Sequence, residues 1–155
     1  MAWVTDPFEV NPRETPLSYR FHATMMGSLR LGANLNAWSE ANKAEAKTLI
    51  NLYKNVRDTI QHGRHYRLRS FRDGPVSATQ FVDATGDNAV VFVFLHSATF
   101  GPYLCQLRLQ GLQSDYVYEL EDYGVLSGEA LMQRGLRLEL KGTFKSKLIR
   151  VTRKP

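Results

Sequence analysis

NAVVFVFLH, Asn88 to His96, is the stretch on which the fold turns. From Ala89 to Leu95 every residue is apolar, and most are β-branched or aromatic. That composition favours a strand, and the length suits one. A strand with one wet face alternates polar and apolar residues. This one does not, so it reads as a central strand buried on both faces.

Its neighbours set the context. HYRLRSF (65–71), ATQFVDA (78–84), YLCQLRLQ (103–110), DYVYEL (115–120), LRLEL (136–140) and KLIRVTR (147–153) are strand candidates. RDGP, ATGDN, FGP, GLQSD and KGTFKS separate the strands as turn signals. With the central strand this makes about seven short strands, the pattern of an antiparallel sandwich or open barrel. ALMQRG (130–135) reads as one helical turn or a loop.

Before Gly63 the period is helical. Ser39 is a good N-cap, and Glu40 meets the positive end of the helix dipole. Leu49, Leu52, Tyr53, Val56 and Ile60 then recur at three and four residues, predicting a helix from Ser39 to His62 that ends at Gly63. An earlier helix is expected from Thr15-Pro16, with Thr15 as cap and Pro16 at the first helical position. Leu17, Phe21 and Met25 form its stripe, but Tyr19, Ala23 and Met26 make its other faces apolar too, and Gly27 is the expected stop. A helix apolar all round needs neighbours all round, and few residues precede it. Ala2–Thr5 reads as a short strand, and the three prolines of DPFEVNPRETP predict an irregular connection.

The chain has 155 residues, 43% of them hydrophobic, enough for one ordinary domain with its own core. Its single cysteine, Cys105, excludes an internal disulfide and sits in an apolar run, so it reads as a core thiol in a reducing compartment. The N-terminal MAWVTDPFEV lacks the basic flank and apolar run of an export signal, and no stretch reaches the roughly 18 apolar residues of a membrane span. The expectation is a soluble, cytoplasmic chain without a membrane partner. The net charge of +5 raises the question of nucleic acid, but the basic residues alternate with apolar ones, as on a solvated sheet face. No nucleic-acid partner is expected.

Catalytic machinery is hard to find. His62 and His65 flank the helix-to-strand junction without a Cys partner or an HExxH motif, so no metal is expected. YGVLSGEA lacks the first glycine of a nucleophile elbow, and there is no phosphate loop or dinucleotide fingerprint, so no cofactor is expected. Glu119 and Glu121 share a strand face, with Asp122 opening a turn, and read as solvated. Asp6 closes the short strand beside Trp3. A carboxylate and an indole at a strand end suit the rim of a sugar pocket, against the simpler reading that Asp6 caps a turn before Pro7.

Several words of the sequence, in order, carry a resemblance: WVTD (3–6), NPRETPLSYRFHATMMGSL (11–29), GANLNAWS (32–39), LINLYKNVRDTIQHG (49–63) and HYRLRS (65–70). Together they resemble the C-terminal end of the bacterial α-galactosidases of glycoside hydrolase family 36. The resemblance is specific over residues 2 to 70 and architectural beyond. It departs at PFEVNPRETPL, and at Arg30, where the family often has glycine.

The resemblance implies an α+β chain: residues 1–62 as the last strand and helices of a (β/α)₈ barrel, and 63–155 as a C-terminal β-sandwich. Such barrels place their active sites at the C-terminal ends of the strands. The implied reaction of the full-length enzyme is retaining hydrolysis of terminal α-galactosides such as raffinose and melibiose, by a pair of aspartates. Both aspartates belong to earlier barrel strands with no matching position here. Trp3 and Asp6 are the implied pocket-rim residues, α-galactoside oligosaccharides the implied partners, and a homo-oligomer the expected state. The alternative is a stand-alone carbohydrate-binding or assembly module using rings among Tyr66, Phe71, Tyr103, Tyr116 and Tyr118.

Overall fold

A computed structural model describes residues 3–6, 15–97 and 100–155. Ala2 and most of the proline-punctuated connection lie outside the described residues. The first strand, β1, is Val4–Thr5, and α1 follows at Leu17–Met25. Pro16 stands at the N-cap of α1 and no side chain of the described residues caps it, so the helix starts one residue later than Thr15 as cap predicts. After α1 come β2 (Leu31–Gly32), a 3₁₀ turn at Leu35–Ala37 and α2 (Glu40–His62).

The remaining strands are β3 (Arg64–Arg69), β4 (Val76–Val82), β5 (Asn88–Leu95), β6 (Tyr103–Leu107), β7 (Val117–Leu120), β8 (Gly124–Ser127), β9 (Leu136–Leu140) and β10 (Lys145–Arg153). A short helix, α3 (Gly128–Gln133), precedes β9 and settles ALMQRG as helical.

The sheets explain the run at Asn88. β5 lies inside a six-stranded sheet of order β3-β4-β5-β10-β7-β8, antiparallel throughout, with β4 on one side and β10 on the other. Its side chains alternate between two cores. Ala89, Val91, Val93 and Leu95 face a two-stranded antiparallel sheet, β6-β9, which supplies Cys105, Leu107, Leu136, Leu138 and Leu140. Val90, Phe92 and Phe94 face the helices. The antiparallel sandwich of the sequence reading is therefore present. Among the described residues it has eight strands after residue 63, with β8 added, and a helical layer on its outer face.

That layer answers the question posed by α1. Leu17, Phe21 and Met25 are buried within this chain, against α2 and the central sheet, in one cluster with Leu49, Val56, Ile60 and Phe92. Ser39 caps α2 as expected, its Oγ accepting from the Asn42 N–H at 3.2 Å. The Tyr53 hydroxyl ties α2 to the end of α1 by donating to the Gly27 carbonyl at 2.9 Å. Gly63 ends α2 because nothing larger fits: a Cβ there would lie 2.2 Å from the Thr59 oxygen and 2.6 Å from the Val82 oxygen.

Candidate functional site

The short strand that Trp3 and Asp6 flank is built by a parallel pairing with β2. Val4 lies beside Leu31 and Thr5 beside Gly32, and the Val4 N–H donates to the Arg30 carbonyl at 2.9 Å. Val4 is fully buried and anchors this strand in the helix-side core. Trp3 is 48% exposed and lies against Gly32, where an added Cβ would be 2.9 Å from the indole. The Arg30 guanidinium stands 5.6 Å from the ring centroid, a cation–π contact.

Asp6 is held from two directions. Its Oδ1 accepts from the Trp38 indole N–H at 2.7 Å and its Oδ2 from the Asn34 backbone N–H at 2.8 Å. The Trp38 bond, then the Asn34 bond, hold the carboxyl below the ordinary aspartate range, and nearby Arg20 adds to the effect. Arg20 itself donates through Nη1 to the Thr5 carbonyl, while its buried Nε has no partner among the described residues. The Asn34 side chain caps the 3₁₀ turn by accepting from the Asn36 N–H at 3.2 Å. A carboxylate kept ionised in this way is a poor general acid and a good acceptor for hydroxyl hydrogens.

Trp3 precedes β1 and Asp6 follows it, each with its own partners: Arg30 and Gly32 for Trp3, and Trp38, Asn34 and Arg20 for Asp6. Spacing along the chain does not betray these partners, because Trp38 is 32 residues from Asp6. The tryptophan in GANLNAWS was the one usable signal, since a partly buried indole N–H needs an acceptor.

The other candidates occupy separate places. His62 faces Asp58 one helical turn away at 3.8 Å, whereas His65 stacks on Phe81 with centroids 4.8 Å apart. Among the described residues, no group of three or more His, Cys, Asp or Glu side chains is placed to hold a metal. Glu121 pairs with Arg150 at 3.0 Å. Cys105 is buried, and desolvation raises its thiol pKa. No described helix is long and apolar enough to cross a membrane.

The proposed aromatic platform is dispersed. Tyr118 is fully buried, its hydroxyl donating to the Gly86 carbonyl at 2.7 Å. Arg153 covers Tyr116 at 3.6 Å, and Tyr103 is engaged by Arg69 at 3.0 Å. Tyr66 packs against the sandwich core, which leaves Phe71 as the widely exposed ring of the five.

Comparison with known proteins sets this site in a family. Residues 76–151 match the glycosyl hydrolase family 36 C-terminal domain. The α-galactosidase AgaA of Geobacillus stearothermophilus is 34% identical over 131 residues, covering 84% of this chain and 18% of that protein. The crystal structure of the α-galactosidase AgaB of the same organism superposes with a TM-score of 0.93 at 33% identity, over 99% of this chain and 21% of that one. A variant of AgaA in complex with raffinose superposes equally well, with a TM-score of 0.93 at 32% identity over 99% of this chain and 22% of that one. The chain therefore spans about a fifth of the length of the relatives it matches. On this shared sequence and fold, the chain belongs to glycosyl hydrolase family 36, whose C-terminal domain it carries at residues 76–151.

Proposed function

We propose that this chain is the C-terminal portion of an α-galactosidase-like retaining glycosidase, one that removes terminal α-galactosyl groups from oligosaccharides such as raffinose and melibiose. One observation carries the reading: nearly the whole chain superposes on family 36 α-galactosidases, yet it accounts for only 21% of the AgaB chain. In this reading residues 1–62 are the last strand and helices of a (β/α)₈ barrel, and residues 63–155 are the sandwich that follows it. β1 then ends at the face where such barrels hold substrate.

The nucleophile and the acid of the retaining reaction are two carboxyl groups. In our reading both sit on earlier strands of the enzyme. This chain supplies the rim: Trp3 offers an exposed ring to a sugar face, and Asp6, kept ionised by Trp38 and Asn34, accepts a sugar hydroxyl. We further assign the working state as a homo-oligomer, in keeping with exposed apolar side chains such as Leu104, Val117 and Val125. The single thiol, Cys105, fits work in the cytoplasm.

The test is hydrolysis of a chromogenic α-galactoside by the purified chain. No turnover is expected, because the rim alone has no nucleophile. Sustained turnover that co-purifies with the chain would overturn the reading. Light scattering checks the assembly, and a mass of one protomer at every concentration would remove the oligomer.

A further inference from the structure

The helices covering one face of the central sheet stop short of its β3–β4 end. There α1 closes near Met26, α2 closes at Gly63, and the turn Phe71–Asp73 folds up from the end of β3. Between them lies an open cleft of about 710 Å³, floored by Ile60, Phe81 and Phe94. That volume suits a ring-sized organic ligand and far exceeds the needs of a small inorganic ion.

The strand register decides which side chains enter the cleft. His65 pairs with Phe81 and Arg67 with Thr79, so His65 and Arg67 lie on the helix side of the sheet. A bulge between Arg67 and Arg69 then sets Arg69 beside Ala78. Arg69 is held by the Tyr103 hydroxyl at 3.0 Å and lies 5.8 Å from that ring's centroid. Arg67 stays in the cleft, and Arg72 enters from the turn, 5.7 Å from the Phe71 ring.

The cleft is rich in donors, and among the described residues no countercharge lines it. Arg67, Arg69 and Arg72 line it, and no carboxylate of the described residues does. None of the ion pairs among the described residues includes any of the three. Two wall hydroxyls are already engaged: Thr79 donates to the Tyr66 carbonyl at 3.1 Å, and Ser77 meets His96 Nε2 at 2.6 Å. The guanidiniums of Arg67 and Arg72 remain as the charged donors, permanently cationic and shaped for oxygen pairs, with the Ser70 hydroxyl beside them. At the rim, Phe71 is 66% exposed, an apolar face with the cation of Arg72 beside it.

We propose that this cleft binds an oxyanion carried on a pyranose-sized ring, with Arg67 and Arg72 taking the phosphate or carboxylate and Phe71 taking the ring face. The site is independent of the galactoside reading and lies on a different part of the fold from Trp3 and Asp6. Calorimetric titration of the full chain at low ionic strength tests it, with glucose-6-phosphate, galacturonate, inorganic phosphate and galactose as probes.

The expected result is heat from glucose-6-phosphate or galacturonate, weakening with added salt, and none from galactose. A phosphate ester that binds while galacturonate does not identifies a phosphorylated sugar, and the reverse identifies a uronic acid. The double variant Arg67→Gln/Arg72→Gln should weaken binding by at least about tenfold while the unliganded melting temperature stays put, since both side chains are exposed. Phe71→Ala should weaken the ring-bearing probe and leave inorganic phosphate unaffected. Silence from both charged sugars at millimolar concentration, or unchanged affinity in the double variant, overturns the site. Inorganic phosphate binding as tightly as glucose-6-phosphate overturns the ring.

Discussion

The two faces of the central sheet are made differently. Toward β6 and β9 the core is mostly aliphatic, with Val76, Val91, Val93, Ile149 and Val151 in one cluster with Leu107, Leu136, Leu138 and Leu140, and Tyr118 as its one fully buried ring among the described residues. Toward the helices the core is aromatic: Phe81, Phe92 and Phe94 meet Phe21, Met25 and Trp38. The polar groups differ as well. The sandwich side buries Gln80, whose amide hydrogen-bonds the backbone of Gln110 in both directions at 2.9 Å, as a neighbouring strand would. The helix side buries His22, whose Nδ1 meets the Ser146 hydroxyl at 2.8 Å, and holds His96 between Tyr19 and Ser77. Among the described residues the sandwich face buries no imidazole, and its buried titratable groups, Cys105 and Tyr118, are pushed up by burial and stay neutral. The helix face is built from rings and imidazoles, and one end of it is left open.

The largest effect that would expose this difference is expected from Phe92→Ala. Phe92 is fully buried and meets Phe81 and Phe94 at centroid distances of 6.1 and 6.5 Å. Its removal leaves a ring-sized cavity under two helices and should cost about 4 kcal/mol in chemical denaturation. A loss under about 1 kcal/mol would mean that the helical layer is loose and collapses into the gap.

On the other face, Gln80→Leu is nearly isosteric but orphans the N–H and C=O of Gln110. The expected cost is about 3 kcal/mol, since each buried unmet polar group costs about 1–3 kcal/mol. A neutral result would show that water reaches Gln110 and that this face is less dry than its side chains suggest.

Acid provides the third and smallest test. Burial pushes His22 down to about 4 from 6.5, and burial also lowers His96. An unfolded His22 takes up its proton near pH 6.5 and the folded one only near pH 4. The unfolded state therefore binds more protons in that window, and the stability present above pH 6.5 is lost as pH falls toward 4. Between pH 7 and pH 5 the native chain should lose about 2 kcal/mol more than His22→Gln, measured by urea denaturation at each pH. Equal losses in the two proteins would show that His22 is not desolvated in solution.

Local features of the fold were legible in the sequence and nonlocal ones were not. The cap at Ser39, the stripe of α2 and the unbroken apolar run of β5 are local consequences of residue type, and each is found in the structure. The assignment of strands to a six-stranded and a two-stranded sheet depends on which distant segments pair, and no short window encodes that. β2 has only two residues and pairs in parallel with β1 across the whole of α1, beyond the reach of periodicity. β8 begins at Gly124, inside a stretch that reads as a turn.

The sites follow the same rule. Trp3 and Asp6 stood out as types at a strand end, but the indole and amide that hold Asp6 come from the far side of α1. RHYRLRSFR reads as a solvated sheet face because its basic residues alternate. The bulge after Arg67, which parts Arg67 from Arg69, is set by the register with β4. The apolar excess of α1 was visible at once. Its cover proves to be α2 and the helix side of the same sheet that the sandwich uses.

Native-state hydrogen exchange on the full chain tests most directly whether the aromatic and aliphatic faces form one cooperative body. The prediction is that amides of Phe21 in α1, Val56 in α2, Phe92 in β5 and Leu138 in β9 exchange only through a common opening, with one free energy and one denaturant dependence. Helix amides exchanging through a separate, much cheaper opening while β5 and β9 stay protected would contradict it.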